Sequence, residues 1–196
     1  MLFHLRRSFR RLFRLLQCRS FMSSCKRNGI SVTVGDNCII NHCFVKGKGK
    51  CEIVIEDNCS LDYCSFLFYG GEGKVIIHQG TTINSSKGAR TCLYVRGETF
   101  IEIGKNCLIA HSVDICTTDF HTVYDIDGGV MNKDSSVAIG DYVWIGKRAT
   151  INKGVRIPND SIVGASSVVT KSFKTPNVLI AGNPAIIRKQ DITWRK

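Results

Sequence analysis

Across residues 139–170 an aliphatic side chain returns at every sixth position: Ile139, Ile145, Ile151, Ile157, Val163 and Val169. Four residues after each of the first five stands a small or β-branched residue (Val143, Ala149, Val155, Ser161, Ser167). The residue directly after the aliphatic is turn-tolerant in most repeats (Gly140, Gly146, Asn152, Pro158, Gly164). A period of six is neither the 3.6 of a helix nor the simple alternation of a strand. It predicts short strands separated by corners, three to a triangular coil, with the aliphatic filling the interior and the small residue beside it where room is scarce. Stacked coils bury one another's interiors, so no coil has to be stable alone.

The same register recurs in pieces upstream: Val34 and Ile40, then Ile55, Leu61 and Leu67, then Ile77 and Ile83, then Ile103, Ile109 and Ile115. The breaks at 46–50, 70–74 and 85–90 are rich in Gly, Lys and Ser and are expected to be loops or bulges at corners. Residues 116–138 interrupt the repeat between two regular blocks, and a long loop on a rigid scaffold is where chemistry tends to be placed. The expected organisation is a basic amphipathic helix over 1–28, an all-β repeat domain over 29–175 carrying the loop 116–138, and a C-terminal tail over 176–196.

Charge changes the picture at one end only. The chain of 196 residues carries +11, and residues 1–35 hold eight of those positive charges with no acid before Asp36, which leaves +3 for the rest. Over residues 1–20, Leu2, Leu5, Phe9, Leu12 and Leu16 follow helical spacing with arginines between them, an amphipathic cationic helix. No uncharged run there approaches the ~20 residues of a membrane span, and arginines interrupt every apolar stretch that could serve a signal peptide. Two readings stay open: a helix lying on an anionic membrane surface, or one packing its apolar face on the end of the solenoid or on a neighbouring subunit. Nucleic acid is not an expected partner, because no aromatic and basic surface continues into the body. The ten cysteines form no CxxC pair. Cys38, Cys59 and Cys107 fall at the small buried position of the repeat, so they read as core thiols of a cytoplasmic protein.

His121, flanked by Asp119, Asp125 and Asp127 in the long loop, is the candidate general base. A neutral imidazole takes a proton from a hydroxyl near neutral pH, and a carboxylate on its far nitrogen fixes the tautomer.

The ordered series IEIGKNCLIAHSVDI, TTDFHTVYD, IGDYVWIG, SVVTK and AGNPA resembles the hexapeptide-repeat acyltransferases. It is most similar to the branch of maltose, galactoside, xenobiotic and bacterial polysaccharide O-acetyltransferases. The resemblance covers roughly residues 30–189 and is dense over 101–185. It implies a left-handed parallel β-helix, a homotrimer with an active site in each cleft between neighbours, and direct acetyl transfer from acetyl-CoA to a hydroxyl, with a sugar of a surface polysaccharide or its precursor as acceptor. His121 takes the place of the family's base; the loop Glu of some relatives is absent, so Asp125 or Asp127 would orient it, Asp125 being favoured, with Asp119 a further catalytic candidate. Gly146, Ala165 and Thr170 match positions lining the pantetheine groove. Trp144 matches an aromatic near the cleft, with a packing role equally open, and His111 either lines that cleft or is solvated. Lys171, Arg188 and Lys189 would meet the nucleotide phosphates. The sequence departs from the family where a basic residue commonly follows AGNPA, since Ile186 stands there. A lipid-linked acceptor would suit an enzyme held at the inner face of the cytoplasmic membrane by its basic arm. The alternatives are a catalytically silent scaffold and a zinc enzyme like the β-helical carbonic anhydrases. His78, His111 and His121 are spaced poorly for the latter, so no metal is expected.

Overall fold

The computed structural model describes residues 18–196. The cationic helix expected over 1–20 lies outside the described residues except for its last positions, which begin a helix, α1, at residues 18–27. Six coils follow. They are β1–β3 (Ser31–Val34, Ile39–Asn41, Phe44–Lys46), β4–β6 (Lys50–Ile55, Ser60–Asp62, Cys64–Tyr69) and β7–β9 (Glu72–Ile77, Thr82–Asn84, Thr91–Arg96). After them come β10–β12 (Phe100–Ile103, Leu108–Ile109, Asp114–Cys116), β13–β15 (Val137–Ile139, Trp144–Ile145, Thr150–Ile151) and β16–β18 (Arg156–Ile157, Ile162–Val163, Val168–Val169). The first, second and third strands of successive coils pair in parallel into three faces, A, B and C, of a left-handed β-helix.

Each face stacks one aliphatic column in register. On face A it runs Ile55, Ile77, Ile103, Ile139, Ile157. On face B it runs Ile40, Leu61, Ile83, Ile109, Ile145, Val163, and on face C Val45, Phe66, Leu93, Ile115, Ile151, Val169. Nearly all are fully buried, each worth about 1.5–3 kcal/mol of transfer free energy. The corners take a left-handed residue just before the small one: Asn37, Asn58, Asn106, Tyr142, Arg148, Asp160 and Ser166 have φ between 53 and 60°. Asn suits that conformation, whereas Tyr142 and Arg148 adopt it because the corner imposes it.

The six-residue register is correct throughout 139–170, but it misplaces Leu67. In β6 the buried residues are Phe66 and Phe68, and Leu67 lies half-buried on the outside. The cause is the preceding corner. Leu61 is followed by Asp62, the left-handed Tyr63 (φ 49°) and buried Cys64, one residue shorter than a regular corner. The stretch 70–74 is also less of a loop than expected, since β7 begins at Glu72.

The two ends are closed. Phe21, Cys25 and Ile30 are buried in one cluster with the coils, and the rings of Phe21 and of Phe66 in the second coil have centroids 5.4 Å apart, so the described part of the helix packs on the solenoid. At the other end β19 (Leu179–Gly182) extends face B, and β20 (Ala185–Lys189) folds back antiparallel on it as the last strand of that sheet. The ten thiols are all free, and Cys59 and Cys107 are buried at the small position, their sulfurs donating to the carbonyls of His78 and Gly140 in the next coil.

Candidate active site

The long loop spans 117–136 and leaves the solenoid at the corner between faces C and A. Its roots are tied by Ser135 N donating to Thr117 O (2.9 Å), and its outer part is a small hairpin closed by Met131 N to Val123 O and Asp125 N to Gly129 O (2.9 Å each). Thr117 is fully buried, and its hydroxyl accepts from Arg96 N and from the Thr99 hydroxyl.

His121 is exposed near the start of this loop, and two clamps hold its backbone. Below, the Phe120 ring meets Tyr94 and Tyr69 edge-on, at 5.3 and 5.7 Å between centroids. Arg96 donates to Phe120 O at 2.6 Å and pairs with Asp134 at 3.6 Å. Phe120 has φ 66°, a left-handed conformation uncommon for a bulky residue, maintained here by these contacts. Above, Asn132 donates to both Asp119 Oδ2 and His121 O (2.9 Å each) and accepts from Val123 N at 2.6 Å. Lys153 donates to Asp119 Oδ2 and to Asn132 O. That ammonium, with a smaller opposing effect of burial, holds the Asp119 carboxyl below its usual range.

The carboxylates expected to orient His121 therefore act on the loop. Asp119 is engaged by Lys153 and Asn132. Asp125 accepts from Asp127 N (3.0 Å) and Gly129 N (2.7 Å), shaping the hairpin turn. His121 N itself donates to Asp119 O at 2.8 Å.

The remaining site residues fall into two groups. Thr170 and Lys171 are exposed at the end of β18, on the same C-to-A corner as His121. Trp144, Ile162, Leu179 and Lys189 form one outward row across face B, and Gly146 and Ala165 lie at the corner between B and C. Trp144 is 39% exposed, with its ring 6.1 Å from that of Trp194, whose indole N–H donates to Tyr142 O. A Cβ on Gly146 would stand 2.6 Å from Ala165 N, so only glycine lets these coils approach there. Arg188 donates through Nε to Ala181 O at 3.1 Å. Face C separates the two groups within one chain. His78 lies on face A between Glu56 and Glu102, and His111 is exposed at the B-to-C corner, so the three candidate zinc histidines occupy three different parts of the prism.

Sequence reasoning missed Asn132, Lys153, Arg96 and Phe120 as the residues that fix His121. The family described as bacterial transferase hexapeptide (six repeats) matches residues 136–171. The chain is 37% identical over 137 residues to the polysialic acid O-acetyltransferase of Neisseria meningitidis, which covers 65% of this chain and 57% of that protein, so it spans little more than half of that relative's length. The crystallographic structure of the polysialic acid O-acetyltransferase OatWY superposes with a TM-score of 0.79 at 35% identity, covering 86% of this chain and 78% of that one. AntD, an N-acyltransferase from Bacillus cereus solved in complex with dTDP and 3-hydroxybutyryl-CoA, shares the fold, with a TM-score of 0.61 at 22% identity over 89% of this chain and 88% of that one.

Proposed function

Because the chain belongs to the hexapeptide-repeat acyltransferase family, we propose that it moves an acetyl group from acetyl-CoA to a hydroxyl of a surface polysaccharide, with polysialic acid as the first acceptor to test. The observation that carries this reading is His121, exposed on a loop whose backbone is clamped from above and below. A base must be held in reach of the hydroxyl it deprotonates, and such positioning is a large part of catalysis between two bound substrates. In this reading His121 Nε2 or Nδ1 takes the acceptor proton, the oxygen attacks the thioester carbonyl, and the coenzyme A thiolate leaves. Backbone N–H groups along a corner are suited to receive the developing oxyanion.

The donor would run along the B-to-C corner past Gly146 and Ala165, with Trp144 beside it and Lys189 and Arg188 toward the nucleotide phosphates. That places the donor across face C from His121 of the same chain. Side-by-side packing of copies, the C-to-A corner of one against the B-to-C corner of the next, joins the two groups, which favours a closed homotrimer. The basic arm then sets the assembly beside anionic lipid, where lipid-linked glycans are built.

The test is thiol release from acetyl-CoA with polysialic acid and a panel of other sugars, for wild type and His121→Ala. Loss of about 10²–10⁴ in kcat with coenzyme A binding retained supports His121 as the base. Equal rates overturn that role. Absence of both turnover and coenzyme A binding in wild type favours a silent scaffold.

A further inference from the structure

Face C, the surface between the two groups, carries an outward row of short side chains in strict register: Ser65, Cys92, Asp114, Thr150 and Val168. The next row places Leu67, Tyr94 and Cys116 beside it. Ser65 is covered by Arg90, whose Nε donates to its hydroxyl, and Asp114 is the one carboxylate of these two rows.

We propose that Asp114, with the hydroxyl of Tyr94, forms a subsite on the outer surface of face C that binds a pair of hydroxyl groups of the sugar acceptor. The proposal rests on the acetyltransferase reading above. Its basis is a carboxylate left without a protein partner on β12, the strand that leads into the loop carrying His121. Asp114 is half-buried and has no hydrogen bond or ion pair among the described residues. The cations of this row and of the loop are committed elsewhere: Arg90 to Ser65 and the carbonyls of His42 and Cys64, Arg96 to Phe120 O and Asp134, Lys153 to Asp119 and Asn132. Burial pushes the Asp114 carboxyl up in pKa, as expected for an acid withdrawn from water with nothing to compensate it. Such a group costs stability and is normally paired. Adjacent sugar hydroxyls supply the missing donors without adding charge. Tyr94 stands on the same face as Asp114, and burial first of all pushes its hydroxyl pKa up, so it stays protonated and its oxygen can accept from a sugar hydroxyl. The Tyr94 ring also carries Phe120, the residue before His121, so the subsite and the base share one support. A carboxylate repels anions, so this subsite would select neutral polyol positions of an acidic glycan and leave its carboxylates outside it.

The experiment compares wild type, Asp114→Asn and Asp114→Ala, using polysialic acid oligomers and a neutral galactoside as probes, with three readouts: acceptor KM in acetyl transfer, acetyl-CoA hydrolysis without acceptor, and calorimetric binding of each glycan. The expected result is an acceptor KM raised about tenfold to a hundredfold, the loss that follows removal of charge-assisted bonds to substrate hydroxyls. Acceptor-free hydrolysis stays within about twofold, and the Tm of Asp114→Asn is equal to or above wild type, since an unpaired buried charge is gone. An unchanged KM overturns the subsite, as does a parallel loss of acceptor-free hydrolysis, which would make Asp114 part of the general architecture. If wild type transfers acetyl to neither probe, the acetyltransferase reading is what has failed for these acceptors, and the binding isotherms then decide the subsite: weaker glycan binding by the variants supports it, and equal or absent binding overturns it.

Discussion

Asn132→Ala isolates what the loop clamp contributes. The Asn132 side chain makes three hydrogen bonds, to Asp119, to His121 O and from Val123 N. The residue is half-buried, so each bond is taken at the low end of the usual 0.5–1.5 kcal/mol, for a combined effect of about 1.5 kcal/mol. None of this reaches the aliphatic columns, because the loop is an excursion from a solenoid whose strands pair without it. The clamped loop should lose population by about tenfold relative to looser states, and kcat/KM should fall by about the same factor. The assay is steady-state acetyl transfer with Tm recorded in parallel. Asn132→Asp is the companion variant, because it keeps the shape but sets a second carboxylate against Asp119. A rate within twofold of wild type would refute the claim that these bonds position His121. A fall in Tm of many degrees would show that the loop supports the solenoid as well.

His78 sits between Glu56 and Glu102, 2.9 Å from each. Burial lowers its proton affinity, but the two carboxylates outweigh this and its folded pKa is raised. Burial likewise opposes, and the bonds from His78 and Gln79 N outweigh, so the Glu56 carboxyl is lowered. The His78 contribution is therefore fully present below the ordinary histidine pKa of about 6.5 and is lost as pH rises through its raised value. The Glu56 contribution is lost as pH falls below the ordinary glutamate value of about 4.3. Tm against pH should decline on the alkaline side of about 6.5, and His78→Gln should flatten that limb; an unchanged slope refutes the assignment. Ile115→Ala removes a fully buried side chain stacked between Leu93 and Ile151. It should cost about 2–5 kcal/mol in chemical denaturation, and a loss under 1 kcal/mol would mean that the coil collapses around the gap.

The period of six made the second half of the solenoid legible because every corner there has the same length, so one register carries from Ile139 to Val169. It failed at Leu67 because the corners holding His42 (φ 51°) and Tyr63 (φ 49°) are one residue short. The run Cys64–Phe68 then offers apolar side chains on both sides of the strand, so hydrophobicity alone does not reveal the phase. His121, the proposed base, was legible as a histidine among acids in an insertion. Its restraints were not, since Arg96 lies 24 residues from Phe120, and Lys153 lies 34 from Asp119. Spacing within a segment carries no information on contacts made between coils. The same limit explains Asp125: nearness in sequence suggested a partner for His121, whereas the short-range geometry of the turn directs its carboxylate to Asp127 N and Gly129 N.

The irregular first half then acquires a purpose. Strands β4, β6, β7 and β9 are six residues long, against two for β14 to β18. The longer strands carry face C outward to the corner where the bulges at 47–49, 70–71 and 97–99 stack on one another. Gly97 N donates to Tyr69 O at 2.9 Å, and a Cβ on Gly70 would stand 3.3 Å from Gly97 N. Regular hexapeptide coils end too early to reach this edge. Tyr69, Tyr94 and Arg96, the seat and latch for Phe120, all belong to the lengthened ends of β6 and β9. Restoring a two-residue strand in coil two or three would keep the aliphatic columns and still remove the surface on which the loop rests. The departure from regularity in one half of the chain thus supports the histidine that follows it.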